Sequence, residues 1–255
     1  MTATKRTILI TGAGTGFGKG AAIELAARGH HVIATTESRE QADALAAEHP
    51  ELDVRKLDVT SSADIAQVPD LAVDVLINNA GLGIMSPMES VPMEKVRASF
   101  DVNVFGMVEM SQSVIPGMKE RGWGRIINVS SIAGKMASAL GSPYCMTKHA
   151  VEAFTASLRA EMEPFGIDVT KVNPGPYNTG FNDRMVDGIA TWVADDDEAT
   201  KAAHGFISEV VLTDQLDPSE VAMALADLSE AETTPPETLL PEGIGAMLQA
   251  AIDGG

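Results

Sequence analysis

Apolar and polar positions come in blocks whose period changes along the chain. Ile8-Leu9-Ile10 is a short apolar run, and a helical period follows over 16–28. Ala22, Ile23, Leu25 and Ala26 supply the apolar face of that helix, and Gly29 ends it. Val32-Ile33-Ala34 reads as a second strand, then 39–48 as a helix stopped by Pro50. Residues 54–57 and 74–78 read as strands, 93–119 as one long helix, 125–130 as a strand, 143–163 as a helix and 167–172 as a sixth strand. Strands that are apolar throughout, separated by helices, predict a parallel sheet covered on both faces. Right-handed crossovers then give an open, doubly wound α/β sheet. After Pro174 the rhythm breaks. Residues 180–212 hold Phe181, Met185, Trp192, the acidic run Asp195-Asp196-Asp197-Glu198 and Phe206, and are expected to form a helical lid over a substrate. A helix over 218–228, a strand at 238–240 and a terminal helix close the chain. Residues 233–237 read as a loop, so one domain is expected.

At 255 residues the chain is long enough for one sizeable core. A net charge of −18 argues against binding nucleic acid or an anionic membrane surface, since both need Lys and Arg against phosphate. Cys145 is the single cysteine, so no intrachain disulfide forms. The opening residues run into a strand too short for a signal-peptide core, and no stretch reaches the ~20 apolar residues of a membrane span. A cytoplasmic protein is expected. The histidines, at 30, 31, 49, 149 and 204, show no metal-ligand spacing with Cys145 or with clustered carboxylates, and the acidic run lacks the alternating ligands of a calcium loop. No metal is expected.

Thr11 to Gly18 follows a strand and opens a helix, as in a Rossmann-like nucleotide fold. Gly12, Gly16 and Gly18 allow a tight turn and close approach of backbone to a pyrophosphate, with Thr15 and Phe17 between them and the free N–H groups of the helix start beside it. The spacing is G-x-x-x-G-x-G. A P-loop is excluded, because Gly20 stands where a magnesium-binding hydroxyl is needed. At the end of the second strand Thr36 is neutral, Glu37 would repel a 2′-phosphate and Arg39 would attract one. The cofactor is therefore NAD(H) or NADP(H), with the charge of Glu37 inclining to NAD(H). Asp58 either accepts from an adenine amino group or caps a helix before Ser61.

Tyr144 and Lys148 stand one helical turn apart on one helix face, and Ser131 ends the fifth strand. A tyrosine of pKa ~10 is a poor base unless a nearby ammonium stabilises its phenolate. Together the three form an acid/base unit for hydride transfer at a carbonyl.

With these motifs the chain resembles the short-chain dehydrogenase/reductase family in its compact single-domain form, over roughly 7–180. The glycine loop, Asn78-Asn79-Ala80-Gly81, and the Ser131, Tyr144 and Lys148 trio match that family's motifs. The resemblance implies that Asn79, Ala80 and Gly81 border the cofactor, with Asp58 and Val59 at its adenosine end. It implies that Pro174, Gly175, Tyr177 and Thr179 meet the nicotinamide end, and that Lys148 also holds the ribose hydroxyls. Asn103 would support a proton-relay water. Faces of the helices at 93–119 and 143–163 would make a homodimer or homotetramer. The intact glycine loop and lysine set aside the halohydrin dehalogenases of the same scaffold. The short tail after Thr179 sets aside the larger epimerases and dehydratases. A non-catalytic dinucleotide sensor is the alternative, although it has no need of the Ser131, Tyr144 and Lys148 arrangement. Ile84, Met85, Met136, Leu140, Tyr177, Phe181, Met185 and Trp192 are expected to wall a pocket for an uncharged, moderately hydrophobic ketone or alcohol.

Overall fold

The computed structural model describes residues 4–189, 205, 212–246 and 248. The strands are β1 Thr7–Ile10, β2 His31–Thr36, β3 Asp53–Lys56, β4 Val75–Asn78, β5 Gly124–Val129, β6 Ile167–Pro174 and β7 Glu237–Leu240. They form one sheet in the order β3-β2-β1-β4-β5-β6-β7. Every neighbouring pair is parallel. The winding reverses between β1 and β4, which opens a crevice at their C-terminal ends. This is the Rossmann-like doubly wound α/β fold that the apolar blocks imply.

Alternate residues of the central strands feed opposite cores. Ile8, Ile10, Val75 and Ile77 pack under α1 (Gly16–Ala27) and α8 (Ser219–Glu230). Leu9, Leu76, Ile126 and Val169 pack on the other face under α5 (Met107–Arg121) and α6 (Ser142–Met162). Burial on both faces explains why these strands are apolar without alternation. Remaining helices are α2 (Arg39–Glu48), α3 (Ser62–Ile65), α4 (Met93–Phe100) and α7 (Phe181–Ile189).

The single helix expected over 93–119 is in fact three segments. Between α4 and α5 lies a π-helical turn, Asp101–Gly106. A Cβ on Gly106 would stand 2.8 Å from the carbonyl oxygen of Val59, so the helix passes close against the loop after β3. The widened turn carries Asn103, which is wholly buried. Apolar spacing hides this change, because Val102, Val104 and Phe105 sustain the pattern. Two more elements, α3 and a 3-10 turn at Val68–Leu71, lie where none is expected, being too short to show a period. β6 runs two residues past its expected end because β7 pairs with it as far as Pro174 opposite Leu240. Helix α7 starts the stretch expected as a lid, whereas Trp192, the acidic run at 195–198 and Phe206 lie outside the described residues. No helix among the described residues is long and apolar enough to cross a membrane.

Arg125 locks the far end of the sheet. Its guanidinium is almost fully buried and donates to Leu228 O at 2.6 Å and Ala231 O at 2.8 Å, the carbonyls at the C-terminal end of α8. Asp168 stands 3.2 Å from the same group. Burial pushes the arginine's pKa down and Asp168 opposes the shift. Arg125→Met is expected to strip those carbonyls of their buried donor, while Asp168 keeps Arg159 and Thr234 N, and to cost about 3 kcal/mol. Urea denaturation checks it: the midpoint should fall with the slope unchanged, and an unaltered midpoint would contradict the role given to Arg125.

Candidate active site

A cleft of about 680 Å³ opens where the winding reverses. Its floor is a hydrogen-bonded staple between the loops after β1 and β4. Thr11 Oγ1 accepts from Asn79 N and Ala80 N, both at 3.0 Å. Asn79 Nδ2 donates back to Thr11 O at 3.0 Å and Gly12 O at 2.9 Å. Gly12 has a φ of +64°, and a Cβ there would lie 2.8 Å from Ala80 Cα, so only glycine fits. Gly16, with φ +56°, lies against Thr179. Thr15 precedes α1 without a side-chain cap, and no acidic residue occupies the first turn. The helix N-terminus therefore faces the cleft with its donors uncovered by side chains, a fit for phosphate.

Most residues expected at the cofactor line this cleft: Gly12, Thr15, Gly16, Phe17, Glu37, Asp58, Val59, Asn79, Ala80, Gly81, Tyr144, Lys148, Pro174, Gly175, Tyr177 and Thr179. Gly18, Thr36 and Asn103 do not. Gly18 makes room, since a Cβ would sit 2.4 Å from Asn79 Nδ2 and 2.8 Å from Gly12 O. Thr36 is buried, and its hydroxyl donates to Ser38 O at 3.0 Å. Asn103 donates to Leu82 O at 2.8 Å and Thr147 Oγ1 at 3.0 Å and accepts from Leu82 N at 2.7 Å. Its side chain thus ties the β4–α4 loop to α6, with its polar atoms already engaged. Thr60 takes both bonds to Asp58 Oδ1, at 2.8 Å each, while Ser61 caps α3, so the capping role considered for Asp58 belongs to Ser61. The ring of Phe17 meets Tyr177 edge-on, with centroids 5.6 Å apart, and the Tyr177 hydroxyl donates to Glu220 at 2.6 Å.

Tyr144 lies near the start of α6 and Ser131 just past the end of β5, where it caps a 3-10 turn, and both line the cleft. Lys148 is buried one turn on, and its Nζ donates to Val129 O at 2.9 Å. Burial raises the Tyr144 pKa and Ser131 opposes that rise. Burial lowers Lys148 to about 8, with Glu152 opposing. Lys148 is expected to make the phenol more acidic, and burial outweighs that pull in setting the direction of the shift. The ammonium is held on Val129 O, 5.6 Å from the ring centroid, and desolvation dominates the phenol. Burial thus favours the protonated form of the phenol.

Around that phenol the wall is apolar. Met85, Met185 and Val186 are buried together, with Leu140, Tyr144, Phe181 and Leu212 packed against them and the Tyr144 and Phe181 rings 5.8 Å apart. Ile84 belongs instead to a separate cluster with Val91 and Val96, and Tyr177 stands on the cofactor side. Met136 is absent from the apolar cluster, and Trp192 lies outside the described residues. Among the described residues no group of His, Cys, Asp or Glu could hold a metal.

Sequence reasoning missed Glu152, the next turn of the Tyr144–Lys148 face. One oxygen accepts from Ser130 Oγ at 2.5 Å and Asn173 Nδ2 at 2.6 Å. The other lies 2.9 Å from Lys135 Nζ and 3.1 Å from Lys171 Nζ. Asn173 also donates to Ser131 O at 3.0 Å, so Glu152 braces the strand end that presents Ser131. The four-residue spacing of 144, 148 and 152 was its only signal.

A short chain dehydrogenase family model matches residues 6–189. The "Uncharacterized oxidoreductase YusZ" of Bacillus subtilis is 37% identical over 242 residues, covering 88% of this chain and 85% of that protein. The 3-ketodihydrosphingosine reductase of Bacteroides thetaiotaomicron is 40% identical and covers 69% of this chain, which spans 65% of that protein's length. Among solved structures, a short-chain dehydrogenase from Streptomyces avermitilis is similar at TM-score 0.84 and 30% identity, covering 98% of this chain and 94% of that one. A Sphingobium yanoikuyae short-chain dehydrogenase in complex with NADPH gives TM-score 0.77 at 26% identity, with 98% and 92% covered. A Burkholderia cenocepacia gluconate 5-dehydrogenase with NADP and tartrate gives 0.79 at 26%, with 96% and 97% covered. Motifs, sheet order and these likenesses agree: the chain belongs to the short chain dehydrogenase family and is one of its Rossmann-fold oxidoreductases.

Proposed function

We propose that the protein interconverts an uncharged, moderately hydrophobic alcohol and its carbonyl compound, using a nicotinamide dinucleotide. The observation that carries this reading is that Tyr144 and Ser131 both line the cleft where its phosphate-suited loop meets an apolar wall. The dinucleotide fits the residues present: a Cβ would fill the cradle at Gly12, and the α1 amides are open to a phosphate. When bound it supplies the hydride. Thr15, Gly16 and Asn79 would hold its diphosphate side, and Lys148 and Thr179 its nicotinamide side.

Ser131 and Tyr144 would grip the carbonyl oxygen together. Tyr144 holds its proton at neutral pH because burial raises its pKa, so it is the general acid of reduction. Lys148 keeps a positive charge beside it below pH about 8 and steadies the oxygen that has just given up its proton. Met85, Leu140, Phe181 and Met185 exclude water and charged substrates. Relatives whose names specify a ketodihydrosphingosine, a retinol or a 17-beta-hydroxysteroid support an apolar substrate. On cofactor choice the observations divide. Glu37 lines the adenosine end and Arg39 does not, which favours NAD(H), whereas similar structures hold NADPH or NADP.

Tyr144→Phe should bind the dinucleotide as the native protein does and lose roughly 10²–10⁴-fold in turnover. Fluorescence titration with NADH and NADPH and an absorbance screen of ketones and alcohols check both parts and settle the cofactor. Near-native turnover in the variant would refute the mechanism, and tight binding with no turnover of any carbonyl would favour the sensor. The rate of reduction should also fall above pH about 8 as Lys148 loses its proton. The sign follows from burial: the folded protein sheds this proton before the unfolded chain does, so stability should rise between about 8 and the ordinary 10.5 while activity falls. A kcat/KM profile that stays flat to pH 10.5 would contradict the assignment of Lys148.

A further inference from the structure

The charges along the cleft are unevenly placed. Its lining carboxylates are Glu37, Glu48 and Asp58, at the adenosine end. Its lining cations are Lys148 and Arg184. Lys148 is buried beside Tyr144 and already bonded to Val129 O. Lys19, near the start of α1, is committed to Glu48 at 2.7 Å. The glycine loop contributes no basic residue between positions 12 and 18. A diphosphate seated at the start of α1 would therefore meet backbone donors and carboxylates, with one cation left to answer it.

Arg184 is that cation. It lies on α7, one turn after Gly180, and its Nη1 lies 3.1 Å from where a Cβ on Gly180 would be. The loop just before it packs on the glycine loop, since a Cβ on Gly16 would stand 3.0 Å from Thr179 Cβ. Arg184 is exposed, lines the cleft, and among the described residues no carboxylate pairs with it. The neighbouring Asn182, by contrast, is tied to Gln215 at 2.9 Å. A guanidinium presents a planar fork of donors that matches two phosphate oxygens, whereas an ammonium presents a point charge.

Resting on the dinucleotide reading above, we infer that Arg184 is a cofactor-binding residue whose guanidinium closes over the diphosphate from the side opposite the α1 N-terminus. This gives α7 two roles. Phe181 and Met185, one turn apart, face the apolar wall at Tyr144, while Arg184 faces the phosphates. Engagement of the diphosphate would draw the same helix that completes the substrate wall into place.

Titration of the full chain with NADH, NADPH, ADP and adenosine tests this, using native protein, Arg184→Ala and Arg184→Lys. Because Arg184 is exposed, its truncation leaves the cores intact, and matched circular dichroism spectra verify that. The dissociation constants of Arg184→Ala for NADH, NADPH and ADP should each rise about tenfold or more, the scale of a lost hydrogen bond to a charged group. Arg184→Lys should fall between, and adenosine, which has no phosphate, should bind all three proteins equally. Unchanged ADP affinity overturns the inference, as does a loss confined to NADPH, which would mean that Arg184 reads a 2′-phosphate. An equal loss for adenosine also overturns it. Failure of the native protein to bind any of these nucleotides sinks the dinucleotide reading itself, which sets that result apart from a failure of Arg184 alone.

Discussion

Everything at the cleft depends on the staple between Thr11 and Asn79. One hydroxyl accepts two backbone amides of the β4 loop, and one side-chain amide answers two carbonyls of the β1 loop. These loops leave neighbouring strands just where the winding reverses, so without the staple they would diverge as their helices depart to opposite faces. Held together, they force the glycine loop into the left-handed turn at Gly12 and bring its backbone against Ala80. A floor then exists on which a flat, charged cofactor can lie. The same economy recurs one strand further on, where Asn78 donates to Asn128 and to Ser111, and Asn128 donates to Thr155. These side-chain bonds join β4, β5, α5 and α6 and fix their relative heights, although Asn78 Oδ1 itself finds no partner among the described residues.

The height of α6 matters because α6 carries Tyr144 and Lys148 to the cleft. Asn103, buried in its π-helical turn, holds α6 through Thr147, one residue short of Lys148. Glu152 braces the opposite side through Ser130 and Asn173. Tyr144 is thus clamped from both flanks while its ring faces apolar side chains. The consequence is electrostatic. A phenol in such surroundings keeps its proton, and a lysine in them loses its proton more readily. A protonated phenol is what the proton-donor role proposed for Tyr144 requires.

Strands and main helices are legible in the sequence because each is long enough to show its period, and because burial on both faces makes the strands uniformly apolar. The glycine loop and the Tyr144–Lys148 pair are legible for a different reason: their chemistry demands particular residues at fixed spacing. Other features leave no such trace. The π-helical turn keeps an ordinary apolar pattern, and its cause, the approach of Gly106 to Val59, joins residues far apart in the chain. Thr36 follows a strand directly and looks available to a cofactor, yet its hydroxyl turns back to Ser38 O. Ile84 and Met85 are adjacent and equally apolar, but only Met85 reaches the wall beside Tyr144. Direction of lysine charge relative to phenol is likewise a matter of where Lys148 finds an acceptor, and no spacing rule encodes Val129 O.

Cleft, acid and wall converge on one claim, that a hydride passes from a dinucleotide on the stapled floor to a carbonyl carbon whose oxygen is protonated by Tyr144. Isotope transfer tests it most directly. The native protein is given an apolar ketone and a reduced dinucleotide deuterated at the transferable position of its nicotinamide ring, in ordinary water. Mass spectrometry and NMR of the product should find the deuterium on the carbinol carbon and the hydroxyl proton drawn from solvent. A product without deuterium at that carbon, or with its label washed into the water, would contradict the account.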